Sequence, residues 1–88
     1  MTKITLSIKN KLGIHARPAA LLAKMAGRYK SKIMLVKDSQ EIDCKSILGI
    51  MMLAVEYEAV VEITAHGEDD QEAVKNIEDL INGRFSED

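Results

Sequence analysis

The sequence predicts an α+β fold: an open-faced β-sandwich in which one four-stranded antiparallel sheet is covered on one face by three helices, in the order β-α-β-β-α-β-α. Two observations carry this reading. Apolar residues alternate with polar ones near both ends of the chain, at Ile4, Leu6 and Ile8 and again at Val61, Ile63 and Ala65. Between and after these runs they recur at helical spacing, as Ala19, Leu22, Ala23 and Ala26, and as Ala73, Val74, Ile77, Leu80 and Ile81. Each strand then has one apolar side to bury, and helices laid on that side bury it.

The elements follow in order. Ile4, Leu6 and Ile8 alternate with Thr5, Ser7 and Lys9, the period of a strand with one buried face. The first helix is expected from Ala16 to Ala26, with Gly27 placed where a helix end favours a left-handed residue. Ile33-Met34-Leu35-Val36, the turn Lys37-Asp38-Ser39 and the stretch from Gln40 to Asp43 read as a hairpin, its second strand weakly patterned around Ile42. Ser46 opens a short apolar helix through Ile47, Ile50, Met51 and Leu53. Val61, Ile63 and Ala65 alternate with Val60, Glu62 and Thr64 as the last strand. Asp69, with Glu72 three residues on, has the form of an acidic capping box before a final helix ending at Gly83.

With 88 residues and no linker or repeat, the chain is expected to be one domain, residues 1–88. Its single cysteine, Cys44, permits no intrachain disulfide and fits a reducing compartment. Neither a signal peptide nor an apolar run of about 20 residues occurs, so a cytoplasmic protein without membrane insertion is expected. A formal charge of −2, with two Tyr and one Phe, weighs against a nucleic-acid partner. A small RNA-binding α/β domain is suggested only by the element order. His15, His66 and Cys44 lack the close spacing of metal ligands, so no metal or other cofactor is expected. His66, before Gly67, reads as an incidental residue at a turn, and Cys44 as a small hydrophobe beside the core.

The unusual feature is Gly13-Ile14-His15-Ala16-Arg17-Pro18-Ala19-Ala20, at the join of first strand and first helix. Proline is tolerated in a first helical turn, which places His15 at the helix start. Ser, Thr, Asp or Asn normally caps that position with a side-chain oxygen; histidine is a poor substitute. Backbone N–H groups and the positive end of the helix dipole favour an anion there. Arg17 adds a fork of donors suited to phosphate oxygens. A neutral imidazole nitrogen beside them is a nucleophile toward phosphorus near neutral pH. From the residues alone, a surface histidine without a task remains an equal reading.

Ser46 precedes an apolar helical run and reads first as an ordinary N-cap. That helix is too apolar for its length. Ile47, Leu48, Ile50, Met51, Met52 and Leu53 cannot all face one core, so part of them should form a surface patch, with Ile50 and Leu53 the better core candidates. The alternative is a helix buried on both sides.

Two segments decide between these readings by resemblance. Gly-Ile-His-Ala-Arg-Pro-Ala at positions 13–19 resembles the active-centre signature of the HPr family, the histidine-containing phosphocarriers of the bacterial phosphotransferase system. Lys-Ser-Ile-Leu-Gly-Ile-Met at positions 45–51 resembles the family's regulatory-serine helix. The resemblance covers the whole chain and implies an HPr-like fold. It implies that Nδ1 of His15 accepts a phosphoryl group from phospho-enzyme I and passes it to enzyme IIA domains, with Arg17 in the same centre. It further implies that Ile47, Leu48 and Met51, with Ala16 and Ala20 of the first helix, contact these partners. Ser46 matches the serine that an HPr kinase/phosphorylase modifies in many relatives. The protein implied is a monomeric stoichiometric carrier and not an enzyme. Leu12 and Glu58 depart from the family, which often has Ser, Thr or Asn at the first and glycine at the second. Asn10-Lys11-Leu12-Gly13 and the ending Leu80-Ile81-Asn82-Gly83-Arg84-Phe85 also resemble NPr, the carrier of the nitrogen-related branch, whereas Lys45 before Ser46 favours the sugar branch. A regulatory docking module without phosphotransfer is the remaining alternative.

Overall fold

A computed structural model describes residues 1–86. Its elements are β1 (Thr2–Ser7), α1 (Ala16–Ala26), β2 (Lys32–Lys37), β3 (Gln40–Asp43), α2 (Ile47–Met52), β4 (Val60–His66) and α3 (Asp70–Asn82), followed by a short turn of helix at Arg84–Ser86. The four strands form one sheet in the order β1-β4-β2-β3, and every neighbouring pair is antiparallel. This is the predicted element order and layer arrangement.

The alternation seen in the sequence sets the register. Ile4 and Leu6 of β1 pair with Ile63 and Val61 of β4, and Leu35 of β2 pairs with the other side of Ile63. The fully buried Ile33, Leu35, Ile63 and Ala65 thus share one face. Against it pack Leu22, Ala23 and Ala26 of α1, Ile50 of α2, and Ala73, Val74, Ile77 and Ile81 of α3. The covered strands are β1, β2 and β4. At the sheet edge β3 buries no residue and half-buries Ile42 alone, which is why its period was faint.

Three local expectations need correction. The hairpin turn is the two residues Asp38 and Ser39, both at positive φ (50° and 67°), while Lys37 pairs with Gln40 inside the ladder. Positive φ at both central positions matches the twist of the flanking strands, so the tighter turn wins. Gly27 is right-handed, with φ −65°. Here α1 ends by tightening: the Arg28 and Tyr29 amides donate to Met25 and Ala26 oxygens three residues back, which satisfies the last carbonyls without a left-handed residue.

The third correction is at Asp69. It precedes α3 but forms no side-chain cap. Its carboxylate instead accepts the amides of Lys30 (2.8 Å) and Ser31 (3.0 Å) and the Ser31 hydroxyl. These hydrogen bonds, led by the Ser31 hydroxyl, hold the Asp69 carboxyl below the usual carboxylate range. The clamp ties the α1–β2 loop to the β4–α3 turn. Gly67 makes the close approach possible, since a Cβ there, at φ +151°, would lie 2.5 Å from the Ser31 Oγ.

Candidate functional site

The segment carrying His15 is fixed from below by a second loop. Ile8 and Ile14 exchange backbone hydrogen bonds with the 55–59 stretch: Ile8 N to Ala59 O (2.9 Å), Glu58 N to Ile8 O (2.8 Å) and Ile14 N to Val55 O (2.9 Å). Between them the chain folds back on itself, with Gly13 N donating to Asn10 O at 3.0 Å. Asn10 is buried and its amide Nδ2 donates to the Gly13 carbonyl. Gly13 has φ +68°, and a Cβ there would meet the Val55 oxygen at 2.6 Å. Only glycine fits this position. Buried Ile14 anchors the next residue to the core, and His15 emerges half-exposed at the helix start.

His15 is the N-cap of α1. Its backbone is extended (φ −87°, ψ −166°), its carbonyl accepts from Ala19 N at 2.9 Å, and its side chain makes no capping hydrogen bond. The amides of Ala16 and Arg17 point out of the first turn, where an α-helix offers no carbonyl. Pro18 takes the third position and has no N–H to place. No acidic residue lies in this turn to compete for an incoming anion. Arg17 lies on the exposed side of the turn, with one guanidinium nitrogen donating to the Phe85 carbonyl at 3.0 Å. His15 also lines a cleft of about 460 Å³ walled by Lys11, Leu12, Ile14, Ala54, Val55, Glu56 and Tyr57. The ring is therefore presented to solvent beside a concave surface, with positive helix-end charge and a guanidinium in its own turn. Such a site can take an anionic group onto the ring and spread the added charge.

Ser46 caps α2 as expected, its Oγ accepting from Gly49 N at 3.0 Å. The split of the apolar run is also as expected. Ile50 and Leu53 are buried, whereas Ile47 (46%), Leu48 (69%) and Met51 (43%) are exposed. Met52, exposed at 74%, joins them in the patch. Ala16 and Ala20 are exposed on α1, which packs against α2. The cleft residues Lys11, Glu56 and Tyr57 were not anticipated, because only the pairing of two loops brings them to His15. Leu12, where the family often has Ser, Thr or Asn, is 77% exposed and stands in the wall of the cleft. Glu58 adopts φ +69°, the left-handed conformation a glycine takes freely.

Other candidates fall away from this centre. Cys44 is fully buried, and burial, reinforced by Asp43, pushes its thiol pKa up to about 12, far from the reactive thiolate range. His66 is exposed at the end of β4, paired with Lys32. Among the described residues no group of three or more His, Cys, Asp or Glu side chains could hold a metal ion. No helix among them is long and apolar enough to cross a membrane.

Residues 2–83 match the family model for the PTS HPr component phosphorylation site. The chain belongs to the HPr family. The phosphocarrier protein HPr of Neisseria meningitidis serogroup A is 40% identical over 87 residues, covering 99% of this chain and 98% of that protein. The crystal structure of HPr-C-His from Thermoanaerobacter tengcongensis superposes with a TM-score of 0.97 at 45% identity, covering 100% of this chain and 99% of that one. An HPr dimer from the same organism matches at TM-score 0.80 and 46% identity, covering 99% of this chain and all of that one. The HPr fold, four antiparallel strands with three helices, is thus shared over the whole length.

Proposed function

We propose that this HPr-family protein carries a phosphoryl group on Nδ1 of His15, taking it from phospho-enzyme I and handing it to enzyme IIA domains of the sugar phosphotransferase system. The observation that carries the reading is the start of α1: an extended histidine in the N-cap position with no side-chain cap, followed by the Ala16 and Arg17 amides and the Arg17 guanidinium. The Nδ1 lone pair of the neutral ring attacks phosphorus in line, the ring proton staying on Nε2. A nitrogen–phosphorus bond forms as the donor's bond to phosphorus breaks. In the return step the same bond breaks toward the acceptor, so the carrier is regenerated unchanged and acts stoichiometrically, not as an enzyme. Phosphoryl transfer depends mainly on positioning and charge stabilisation, which the helix start supplies.

The partner face consists of Ile47, Leu48 and Met51 of α2 with Ala16 and Ala20 of α1, an exposed apolar surface beside the acceptor ring. Methionine's flexible side chain suits a face that must accept several partners in turn. Ser46 phosphorylation by an HPr kinase/phosphorylase would add about −1.5 to −2 charges at the start of α2, leave the helix intact and repel an acidic partner. The carrier works in the cytoplasm as a monomer, with a size measurement in solution deciding between that state and a dimer. Both His15 and Arg17 are kept, which speaks for transfer and against a docking module without it. The match to relatives named HPr favours the sugar branch over the nitrogen-related one.

Incubation with enzyme I, phosphoenolpyruvate and magnesium should give acid-labile phosphate on the wild-type protein and none on His15→Ala. Equal labelling of His15→Ala would sink the assignment.

A further inference from the structure

After α3 closes at Gly83, the next three residues, Arg84, Phe85 and Ser86, have φ values of 57°, 53° and 62°. None is glycine. Left-handed backbone is unfavourable for an ordinary residue, and runs of it are rare. Such a strained run persists only where something holds it. The holding group is the Phe85 ring, among the largest fully buried side chains of the protein at 0% exposure. The Ser86 amide closes the turn on the Gly83 carbonyl at 3.1 Å. The same reversal aims the Phe85 carbonyl at α1, where it accepts the Arg17 Nη1 hydrogen bond at 3.0 Å across 68 residues of sequence.

We propose that Phe85 is a positioning residue for the phosphoryl site: its buried ring locks the left-handed turn whose carbonyl orients the Arg17 guanidinium at the start of α1. This rests on the carrier reading. Arg17 stands on an exposed surface, where ordering a long side chain into one rotamer costs conformational entropy. The Phe85 carbonyl fixes the direction of one guanidinium N–H as a neutral acceptor. The ordering is done before phosphate arrives, by a core side chain that never touches the reacting atoms. The strain in residues 84–86 is offset by burial of an aromatic ring, which contributes more than any exposed contact there could.

The experiment compares wild type with Phe85→Ala and Phe85→Leu, with Ile77→Val as a core change on α3 away from the turn. Transfer from phospho-enzyme I is measured as kcat and KM, and Arg17 guanidinium proton signals are followed by nuclear magnetic resonance. Phe85→Ala should lower kcat about tenfold with KM within about twofold, as expected when a charge-stabilising donor loses its place. It should also average the Arg17 signals, and Phe85→Leu should restore most of both. In an Arg17→Ala background the Phe85 change should cost less than about twofold further. If Phe85→Ala does not fold, Phe85→Val in the cold takes its place. Unchanged kcat and Arg17 signals, a loss equally large without Arg17, or an equal kcat loss in Ile77→Val each overturn the proposal. Wild-type protein that takes no phosphate yet shows Phe85-dependent Arg17 signals sinks the carrier reading while supporting the positioning.

Discussion

The starts of α1 and α3 differ in an instructive way. Both helices begin without a side-chain cap. At α3 the candidate capping residue, Asp69, is present, but its carboxylate holds the Lys30 and Ser31 amides and the Ser31 hydroxyl instead. Capping capacity there is diverted into joining two loops. At α1 the capping position holds His15, and the two loops beneath it are joined by backbone bonds around Gly13, whose carbonyl also accepts from the Asn10 side-chain amide. One end of the molecule uses polar side chains for stability. The other has no side-chain cap on its helix start, and a glycine, backbone bonds and the Asn10 amide hold the loops beneath it.

The largest effects that sharpen this contrast should come from the two glycines. Gly13→Ala and Gly67→Ala each put a Cβ within 2.6 Å of a neighbour, at φ +68° and +151°. Each should lose about 2–4 kcal/mol of stability in urea unfolding. Only Gly13→Ala should also slow phosphate acceptance when assayed still folded, because it displaces His15. Equal activity losses in the two would break the contrast.

Next comes the cap itself. His15→Ser should stabilise the protein by about 1 kcal/mol, by adding the hydroxyl cap α1 lacks, while abolishing phosphate acceptance. Ser46→Ala, the converse change at a cap that is made, should cost about 1 kcal/mol. Thermal melts of the two variants check both signs. A smaller gain, about 0.5–1 kcal/mol, is expected for Glu58→Gly, which relieves a left-handed residue at φ +69°.

The smallest effect is a pH dependence. Asp69 has a depressed pKa in the fold, through the Ser31 and Lys30 hydrogen bonds, so its contribution is complete above the ordinary carboxylate pKa. It is lost as pH falls through the lower folded value. Asp70, bonded to the Thr2 hydroxyl at 3.0 Å, acts in the same direction. Unfolding midpoints of wild type should therefore drop more steeply below pH 4 than those of Asp69→Asn, with phosphate acceptance at neutral pH the same in both.

What could be read from sequence followed the range of the forces involved. Strand alternation and helix stripes are local, so α1, β4, α3 and the burial of Ile50 in α2 and of Leu53 just after it were legible. So was the misfit of His15 as a cap, which depends only on neighbours in the chain. The Asp69 clamp was not, because its partners lie 38 and 39 residues away and a capping box looks the same on paper. The left-handed turn at Phe85 was hidden for a similar reason: a buried ring enforces it against local preference. The cleft beside His15 arises where two loops pair, and neither loop alone has a period to announce it.

The central claim is tested most directly by treating the protein with enzyme I, phosphoenolpyruvate and magnesium and recording phosphorus and ring-nitrogen resonances of the product. The carrier reading predicts one phosphoryl group per chain, acid-labile, on Nδ1 of His15, released again on addition of an enzyme IIA domain. Phosphate on another residue, or a His15 ring left unchanged while the relative from Neisseria meningitidis is labelled by the same mixture, would contradict it.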